Sequence, residues 1–334
     1  MLNGHGDDLH LVKGQIKHNF SSNVFYKGCP PAILDTLKNQ LHNIQNYPSP
    51  AAEELSVCAS KRYDLPADNF LFTNGAIEAF YLIAQLFRGK SATIVGPTFS
   101  EYEDACRIHE VDYQVVDRNV IQEHCNDLVF ICNPNNPTGS IFTFEEIEHL
   151  LKENTKTTFV IDEAYIEFTS ATISVVPLVK KYDNLIIVRS LTKTFTIPGL
   201  RLGYIISNAL KVDSLKAIRI PWSVNGLALS AGKFLFENYD DLIFDIDQLL
   251  EERKVFQEQL KEIDFIEIQS TNTSYFLVKL LKGKASELKN YLIEKGILIR
   301  DATNFTNLEG EHIRLSVQLP MANEQIIKAL KSWI

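Results

Sequence analysis

Cysteine is scarce in this chain of 334 residues, and its spacing suits neither a disulfide framework nor a zinc site. The five cysteines include no Cys-x-x-Cys pair, which is typical of a protein from a reducing compartment. The eight histidines form no His-Glu-x-x-His motif and share no ligand spacing with the cysteines. We therefore expect a cytoplasmic protein without a bound metal.

Long hydrophobic runs and an excess of positive charge are also missing. The longest apolar stretches have the length of a strand, so the sequence predicts no membrane span. The first residues are charged and lack an apolar core, so we expect no signal peptide. A net charge of −9 argues against nucleic-acid binding. The remaining composition, 45% hydrophobic and 22% charged, is that of a soluble globular protein long enough for two domains.

Residues 190–204 combine the groups that a covalent site for an aldehyde needs. The apolar run before them predicts a buried strand, so Lys193 follows the carboxyl end of a strand, where open α/β sheets bind ligands. A lysine that forms a Schiff base needs a desolvated site with cationic neighbours. Ser190, Thr192 and Arg201 are donors suited to a phosphate. The alternative is an ordinary loop lysine on a Rossmann-like sheet.

A second anion site is predicted between a strand at residues 70–73 and a helix that reaches about Phe87. Asn74, Gly75 and Ala76 lie between the two elements. Backbone N–H groups at a helix N-terminus bind phosphate, with the helix dipole behind them. An Asn-Gly pair alone is equally typical of a plain turn.

Two more predicted buried strands are followed by polar side chains at the same edge of the predicted sheet. The strand at 128–132 runs into the Pro- and Gly-containing loop 133–139, which is rigid enough to hold the amide of Asn136 against a ligand. The strand at 157–161 ends at Asp162. The pattern alone leaves open whether this carboxylate is a metal ligand, a base or a structural residue.

Local signals predict several helices. Pro31 suits the first turn of a helix, and Thr143 with Glu146 forms a capping-box pattern for another. A long charged helix is predicted over about 241–263.

Taken in order, these motifs resemble those of pyridoxal-phosphate (PLP) enzymes of fold type I. Within that group the chain is most similar to the threonine-phosphate decarboxylases of cobalamin synthesis, and next to the histidinol-phosphate aminotransferases. The resemblance implies an α/β fold with a large domain, whose mostly parallel seven-stranded sheet lies between helices, and a smaller α+β C-terminal domain. It implies an N-terminal substrate-binding arm at 1–30, a large PLP-binding domain at 31–231 and a small domain at 232–334.

The resemblance also implies roles for the polar residues at the sheet edge. Lys193 would hold PLP as a Schiff base, and Asp162 would pair with the pyridinium nitrogen. Tyr165 and Asn136 would bond the ring hydroxyl. Lys193, Asp162 and Tyr165 form the expected catalytic set. The expected cofactor-binding set is Tyr47, Asn74, Gly75, Ala76, Phe99, Asn136, Asp162, Tyr165, Ser190, Thr192, Lys193 and Arg201.

Two aromatic assignments within that set have alternatives. The family places an aromatic ring over the pyridine ring just after the strand at 92–95, where Phe99 and Tyr102 both occur, and we favour Phe99. Tyr47, in a Tyr-Pro motif, would reach the cofactor phosphate across a dimer interface. Without the family it is as readily a turn tyrosine. A homodimer with its active site at the interface is therefore expected.

A small phosphorylated amino acid is the expected substrate. Composition favours a disordered tail for the N-terminus, but His5, Gly6 and Asn23 match the family's substrate-binding arm. Arg314 would clamp the substrate carboxylate and Arg300 its phosphate, although arginines on strands are often only solvated. The expected substrate-binding set is His5, Gly6, Asn23, Asn136, Arg300 and Arg314.

The expected reaction is decarboxylation of O-phospho-L-threonine to (R)-1-aminopropan-2-yl phosphate. The alternative is an aminotransferase that uses 2-oxoglutarate, with histidinol phosphate or an aromatic amino acid as amino donor. A non-catalytic PLP-binding homologue is disfavoured because the motif lysine is present.

Overall fold

The computed structural model describes residues 7–12 and 14–333, so His5 and Gly6 of the expected substrate set lie outside the described residues. The strands are β1 (His18–Asn19), β2 (Phe70–Asn74), β3 (Ser91–Val95), β4 (Asp112–Val116), β5 (Leu128–Cys132), β6 (Thr158–Asp162), β7 (Leu185–Ser190), β8 (Leu202–Ser207), β9 (Ile266–Ile268), β10 (Tyr275–Leu280), β11 (Ile297–Leu298), β12 (Arg300–Asp301) and β13 (His312–Ser316). The α-helices are α1 (Pro31–Asn39), α2 (Glu53–Tyr63), α3 (Gly75–Leu86), α4 (Glu101–Ile108), α5 (Phe144–Glu153), α6 (Ala209–Ile218), α7 (Gly226–Glu237), α8 (Tyr239–Leu242), α9 (Ile246–Leu260), α10 (Ala285–Glu294) and α11 (Pro320–Lys331).

Seven strands form the central sheet, in the order β2-β8-β7-β6-β5-β3-β4. Strand β8 runs antiparallel to both of its neighbours, and the other adjacent pairs are parallel. This confirms the expected α/β fold with a mostly parallel seven-stranded sheet. The carboxyl ends of β5, β6 and β7 therefore meet at one edge, which is where ligands bind in such sheets.

The central strands are apolar throughout because helices cover both faces of the sheet. In β5, Leu128 and Phe130 join a core cluster with α3, α4 and α6. Val129 and Ile131 point the other way and join a cluster with α1, α2, α5 and α7. Alternate side chains of a strand point to opposite faces, so a strand buried on both sides reads as an unbroken apolar run.

A second, antiparallel sheet contains the strands β12-β13-β10-β9. It packs with α9, α10 and α11 around a separate core cluster, which also takes in Phe20, Tyr165 and Phe168. Strand β1 pairs in parallel with β11, so part of the N-terminal segment is bound to the C-terminal part of the chain. The division at residues 31 and 232 remains a prediction.

The local helix signals are only partly confirmed. The Thr143–Glu146 capping box is present at the start of α5. The long helix predicted over 241–263 is instead divided into α8 and α9, because Ile243 is extended and the Asp245 side chain caps the backbone N–H of Gln248. Of the helices in the described residues, none is long and apolar enough to cross a membrane.

Candidate active site

A cavity lies at the carboxyl edge of the central sheet, between the loops that follow β5, β6 and β7. Asp162 ends β6, Ser190 ends β7, and Lys193 lies three residues after Ser190. Residues from Ala76 to Arg201, which are 125 positions apart in the chain, therefore line the same cavity. The predicted site residues that line it are Ala76, Phe99, Asn136, Asp162, Tyr165, Ser190, Thr192, Lys193 and Arg201.

The Asp162 carboxylate is held by two hydrogen bonds. The Tyr102 hydroxyl donates to Oδ2 over 2.5 Å, and the backbone N–H of Ala164 donates to Oδ1 over 2.9 Å. Burial raises the pKa of Asp162 to about 6, and both donors oppose this rise because they stabilise the ionised form. At neutral pH the group is a buried carboxylate that can pair with a cation in the cavity.

The Lys193 amine has an unusual environment for a lysine. Burial lowers its pKa to about 8, and the positive charges of Arg314 and Arg201 act in the same direction. The side chain keeps some accessible surface because it faces the cavity, although protein atoms surround it. An amine with this pKa is substantially neutral, and hence nucleophilic, slightly above neutral pH.

The N-terminus of α3 and the loop before β8 form a cradle of hydrogen-bond donors. Gly75 has φ +75°, and a Cβ on it would lie 2.4 Å from Nη2 of Arg201. Only glycine therefore allows the guanidinium to approach the start of the helix so closely. The Ser190 and Thr192 hydroxyls are 2.7 Å apart beside it. Hydroxyls, a guanidinium and a helix N-terminus are together a donor set for phosphate.

A second cavity adjoins the first and shares Asn136, Tyr165 and Lys193 with it. Two buried arginines line this second cavity, Arg300 and Arg314, whose Cα positions pair across β12 and β13. Strand pairing thus explains why two cationic side chains 14 residues apart share one space.

Arg314 connects three parts of the chain. Its Nη1 donates to Oδ1 of Asn136, and its Nη2 donates to the backbone oxygen of Ser21. Its buried Nε has no partner among the described residues.

Arg300 is oriented by its own loop. Its Nη2 donates to Oδ1 of Asn304 over 2.8 Å, and its guanidinium lies 5.3 Å from the centre of the Phe305 ring. Burial lowers the pKa of Arg300 to about 10, and the charge of Arg314 adds to this effect. A bound anion would relieve this repulsion between the two guanidinium groups.

Asn23 also faces the second cavity. It is only 3% exposed, and among the described residues its side-chain polar atoms make no hydrogen bond of ordinary geometry, although the amide lies near the Tyr165 phenol. A buried amide without partners is costly, so its presence here points to a ligand that supplies them.

Three residues of the expected cofactor set, Tyr47, Asn74 and Gly75, are not among the residues that line the cavity of the single chain, although Gly75 lies against Arg201, which does line it. Tyr47 is 89% exposed and contacts Trp222, with ring centres 5.6 Å apart, beside a different groove. Asn74 is exposed, and its backbone N–H donates to Glu78.

Tyr102 is a site residue that the sequence did not reveal. It was the less favoured candidate for the stacking aromatic, and its hydroxyl instead contacts Asp162. No local pattern could have shown this, because the two residues are 60 positions apart. Phe99, the favoured candidate, does line the cavity.

The residues present fit PLP. The cradle at Gly75, Ser190, Thr192 and Arg201 suits its phosphate, Lys193 offers an amine for its aldehyde, and Asp162 offers a buried carboxylate for a protonated ring nitrogen. The fold and this site define the class of PLP-dependent enzymes of fold type I. The chain belongs to the aminotransferase class I and II family, which matches residues 15–331. Because members of this family use PLP, the expected cofactor is confirmed.

The similar proteins include both decarboxylases and aminotransferases. The crystal structure of L-threonine-O-3-phosphate decarboxylase from Porphyromonas gingivalis is 36% identical, with a TM-score of 0.91 over 95% of this chain and 99% of that one. A protein of Caldanaerobacter subterraneus subsp. tengcongensis, provisionally named threonine-phosphate decarboxylase, is 33% identical over 93% of this chain and 88% of its own. The histidinol-phosphate aminotransferase of Thermoanaerobacter sp. (strain X514) is also 33% identical, over 90% and 88%. Overall identity therefore does not separate the two reactions.

Proposed function

We propose that this enzyme decarboxylates O-phospho-L-threonine, releasing CO2 and forming (R)-1-aminopropan-2-yl phosphate. The observation that carries the proposal is the pair of buried guanidinium groups, Arg300 and Arg314, in a cavity that also contains Lys193. O-phospho-L-threonine has two anionic groups, an α-carboxylate and a side-chain phosphate, and each suits one arginine fork.

Arg314 is the better candidate for the α-carboxylate. It contacts Asn136, which lines both cavities, and it lines the second cavity together with Lys193. Its unpartnered Nε is an available donor among the described residues. Arg300, on the neighbouring strand and beside the N-terminal segment, would then bind the phosphate, with Asn23 as a further polar contact.

PLP, when bound, supplies an electron sink for the electron pair of a bond broken at the substrate Cα. Asp162 would maintain the charge on the ring nitrogen, while Ser190, Thr192 and Arg201 would hold the phosphate of the cofactor. The Lys193 amine would hold the cofactor aldehyde and, once replaced by the substrate amine, would be placed to deliver a proton to Cα.

The two arginines would also decide which bond breaks. A substrate held at both its carboxylate and its phosphate has little freedom to rotate about the Cα–N bond, so one bond at Cα is presented for cleavage. In the proposed function that bond is the one to the carboxylate.

The alternative is an aminotransferase of the histidinol-phosphate type, which the relative from Thermoanaerobacter supports. Histidinol phosphate has a phosphate but no carboxylate. In that case Arg300 would bind the amino donor and Arg314 the carboxylate of 2-oxoglutarate.

The test is to incubate the enzyme with PLP and O-phospho-L-threonine without any keto acid and to measure CO2. We expect sustained release, and a rise in KM of about 100-fold for Arg300→Gln, because a charged hydrogen-bonded pair is lost. Arg88→Gln, at an exposed arginine that lines neither cavity, is the matched control. A strict requirement for 2-oxoglutarate, with transfer of the amino group to it, would reject the decarboxylase.

We also propose that the active unit is a homodimer. Large apolar side chains are exposed on the segment around Tyr47 and on the neighbouring Ile220-Pro-Trp222 turn, where the Trp222 indole donates to the backbone oxygen of Pro48. Contiguous exposed apolar surface of this kind is typical of a subunit interface. The partner's Tyr47 would then complete the phosphate cradle.

A further inference from the structure

The Tyr102 hydroxyl makes a buried hydrogen bond that the cofactor-binding motifs do not include. It donates to Oδ2 of Asp162 over 2.5 Å, and both residues are buried. Tyr102 is not among the described residues that line the cavity, so it lies behind the carboxylate rather than beside a ligand. Its hydroxyl touches the cavity lining at Asp162 and Cys132.

The ring of Tyr102 is fixed before any ligand binds. It belongs to the first turn of α4 and stacks on Phe130 with ring centres 5.2 Å apart and planes 11° apart. Phe80 meets it edge-on, with ring centres 4.8 Å apart. Aromatic packing on two sides therefore holds the phenol oxygen at one position.

Four ionisable groups from different elements face the Asp162 carboxyl. Tyr102 comes from α4, Cys132 from the end of β5, Glu163 from the next position in the chain and Lys193 from the loop after β7. Within the described residues Tyr102 gives the largest effect that favours the ionised form, whereas the charge of Glu163 opposes it. Burial raises the pKa of the Tyr102 phenol well above its usual value, so the hydroxyl remains protonated and donates.

We propose that Tyr102 is a positioning residue for the cofactor: its hydroxyl fixes the orientation of the Asp162 carboxylate and keeps it ionised, so that the carboxylate can hold a protonated ring nitrogen. A carboxylate has about four lone-pair sites. Tyr102 and Ala164 each occupy one, and the remaining ones are available to the cavity. The proposal rests on the cofactor and not on the proposed reaction, so a decarboxylase and an aminotransferase would behave alike.

The test compares cofactor binding by Tyr102→Phe, Tyr81→Phe and the unaltered enzyme. Tyr81→Phe is a matched control, because its hydroxyl also donates to a carboxylate, that of Glu101, over 2.9 Å. Holoenzyme of each form is diluted at pH values from 6 to 9, and the dissociation constant of PLP is measured from the loss of cofactor absorbance.

Tyr102→Phe should bind PLP about 10-fold more weakly near pH 6.5, and the difference should shrink towards pH 9. Without the phenol donor the pKa of Asp162 rises further above about 6, so its carboxyl is protonated at a pH where the unaltered enzyme keeps it ionised. At alkaline pH both forms are ionised, so the part of the difference that comes from ionisation disappears and only the smaller part that comes from orientation remains. Tyr81→Phe should match the unaltered enzyme at every pH.

Equal affinity for Tyr102→Phe and the unaltered enzyme, or a loss that is the same at every pH, would overturn the proposal. If Tyr102→Phe does not fold, 3-fluorotyrosine at position 102 provides the opposite test, because a more acidic phenol is a stronger donor. It should tighten PLP binding near pH 6, and weaker or unchanged binding there would equally overturn the proposal.

Discussion

The chemistry of Lys193 depends on its surroundings more than on its identity. An exposed lysine has a pKa near 10.4 and is almost never neutral at physiological pH. At position 193 burial and two arginines lower the pKa to about 8, so roughly 10% of the amines are neutral at pH 7. The same burial disfavours the protonated amine in the protein without cofactor. The environment that makes the amine reactive therefore lowers the free energy of unfolding of the cofactor-free protein.

The pH dependence of cofactor capture tests this environment. We expect the rate of PLP binding to the cofactor-free protein to rise about 10-fold between pH 6 and pH 7 and to level off above about pH 8, because the neutral amine is the reactive form. Stopped-flow absorbance would measure this, with Nα-acetyl-lysine as the reference, whose rate should continue to rise to about pH 10.

Two variants control this experiment. Lys193→Ala should not give the absorbance band of the bound cofactor. Lys211→Ala removes another half-buried lysine, one that donates to Thr158 on the sheet, and should leave the profile unchanged. A rate that rises in parallel with the reference up to pH 10 would contradict the lowered pKa of Lys193.

Some site residues could be identified from sequence motifs, whereas the roles of others are visible only in the structure. Lys193, Asp162 and Arg314 have diagnostic neighbours in the chain, so a motif identifies them. Tyr102 has none, because its role depends on a contact with a residue 60 positions further along the chain. Asn23 was expected from a motif, but that its side chain is buried without partners became visible only in three dimensions.

At the scale of elements, buried ion pairs link the end of β6, where Asp162 lies, to β7, which leads into the loop with Lys193. Arg189 on β7 donates through Nη1 to Glu163 over 2.8 Å and through Nη2 to Glu167. The Tyr239 hydroxyl donates to Glu167 over 2.7 Å. Glu163 directly follows Asp162, so these contacts fix the backbone at the ends of β6 and β7 on which the site depends.

Arg189→Met should lower the free energy of unfolding by about 3–5 kcal/mol, because two buried carboxylates lose their counter-charge. Urea denaturation followed by circular dichroism would measure it. The control is Arg88→Met: Arg88 and Glu110 form an exposed pair, with side chains 63% and 67% accessible, so the cost should stay below about 1 kcal/mol. Equal costs for the two variants would show that the buried network adds no stability.

The strands of the central sheet could be predicted, but much of their arrangement could not. Strands near the site such as β5 are continuous apolar runs, which show burial on both faces but neither strand order nor direction, whereas the edge strand β4 is half polar and partly exposed and has no such signal. Strand β8 is antiparallel, and the segment 191–201 before it contains only a short 3-10 turn, which is too little for a helical crossover. Its pairing with β2, from more than 120 residues earlier, leaves no local signal.

At the scale of the whole molecule, the substrate cavity exists only when distant parts of the chain meet. Arg314 from the second sheet contacts Asn136 in the loop after β5 of the central sheet and the backbone of Ser21 near the N-terminus. The sequence motifs indicated each residue separately. Their convergence depends on the packing of the second sheet against the first, which no motif encodes.

The expected role of Tyr47 requires a second chain, because in a single protomer Tyr47 lies apart from the cofactor cavity. If the partner's Tyr47 completes the cradle, the variants Tyr47→Ala and Lys193→Ala should complement each other. A mixed dimer then has one site with both native residues and one site with neither. Random mixing gives half mixed dimers, so unfolding and refolding the two together should restore about 25% of the native activity per protomer.

The control is to mix Lys193→Ala with Asp162→Asn, two changes at residues that line the same cavity of one protomer. No mixed dimer then has an intact site, so the activity should stay at the level of the separate variants. Light scattering would establish that both mixtures are dimeric. If the Tyr47→Ala mixture recovers no more activity than the control mixture, Tyr47 lies outside the site of the neighbouring subunit, because only a residue contributed across the interface can be supplied by the other chain.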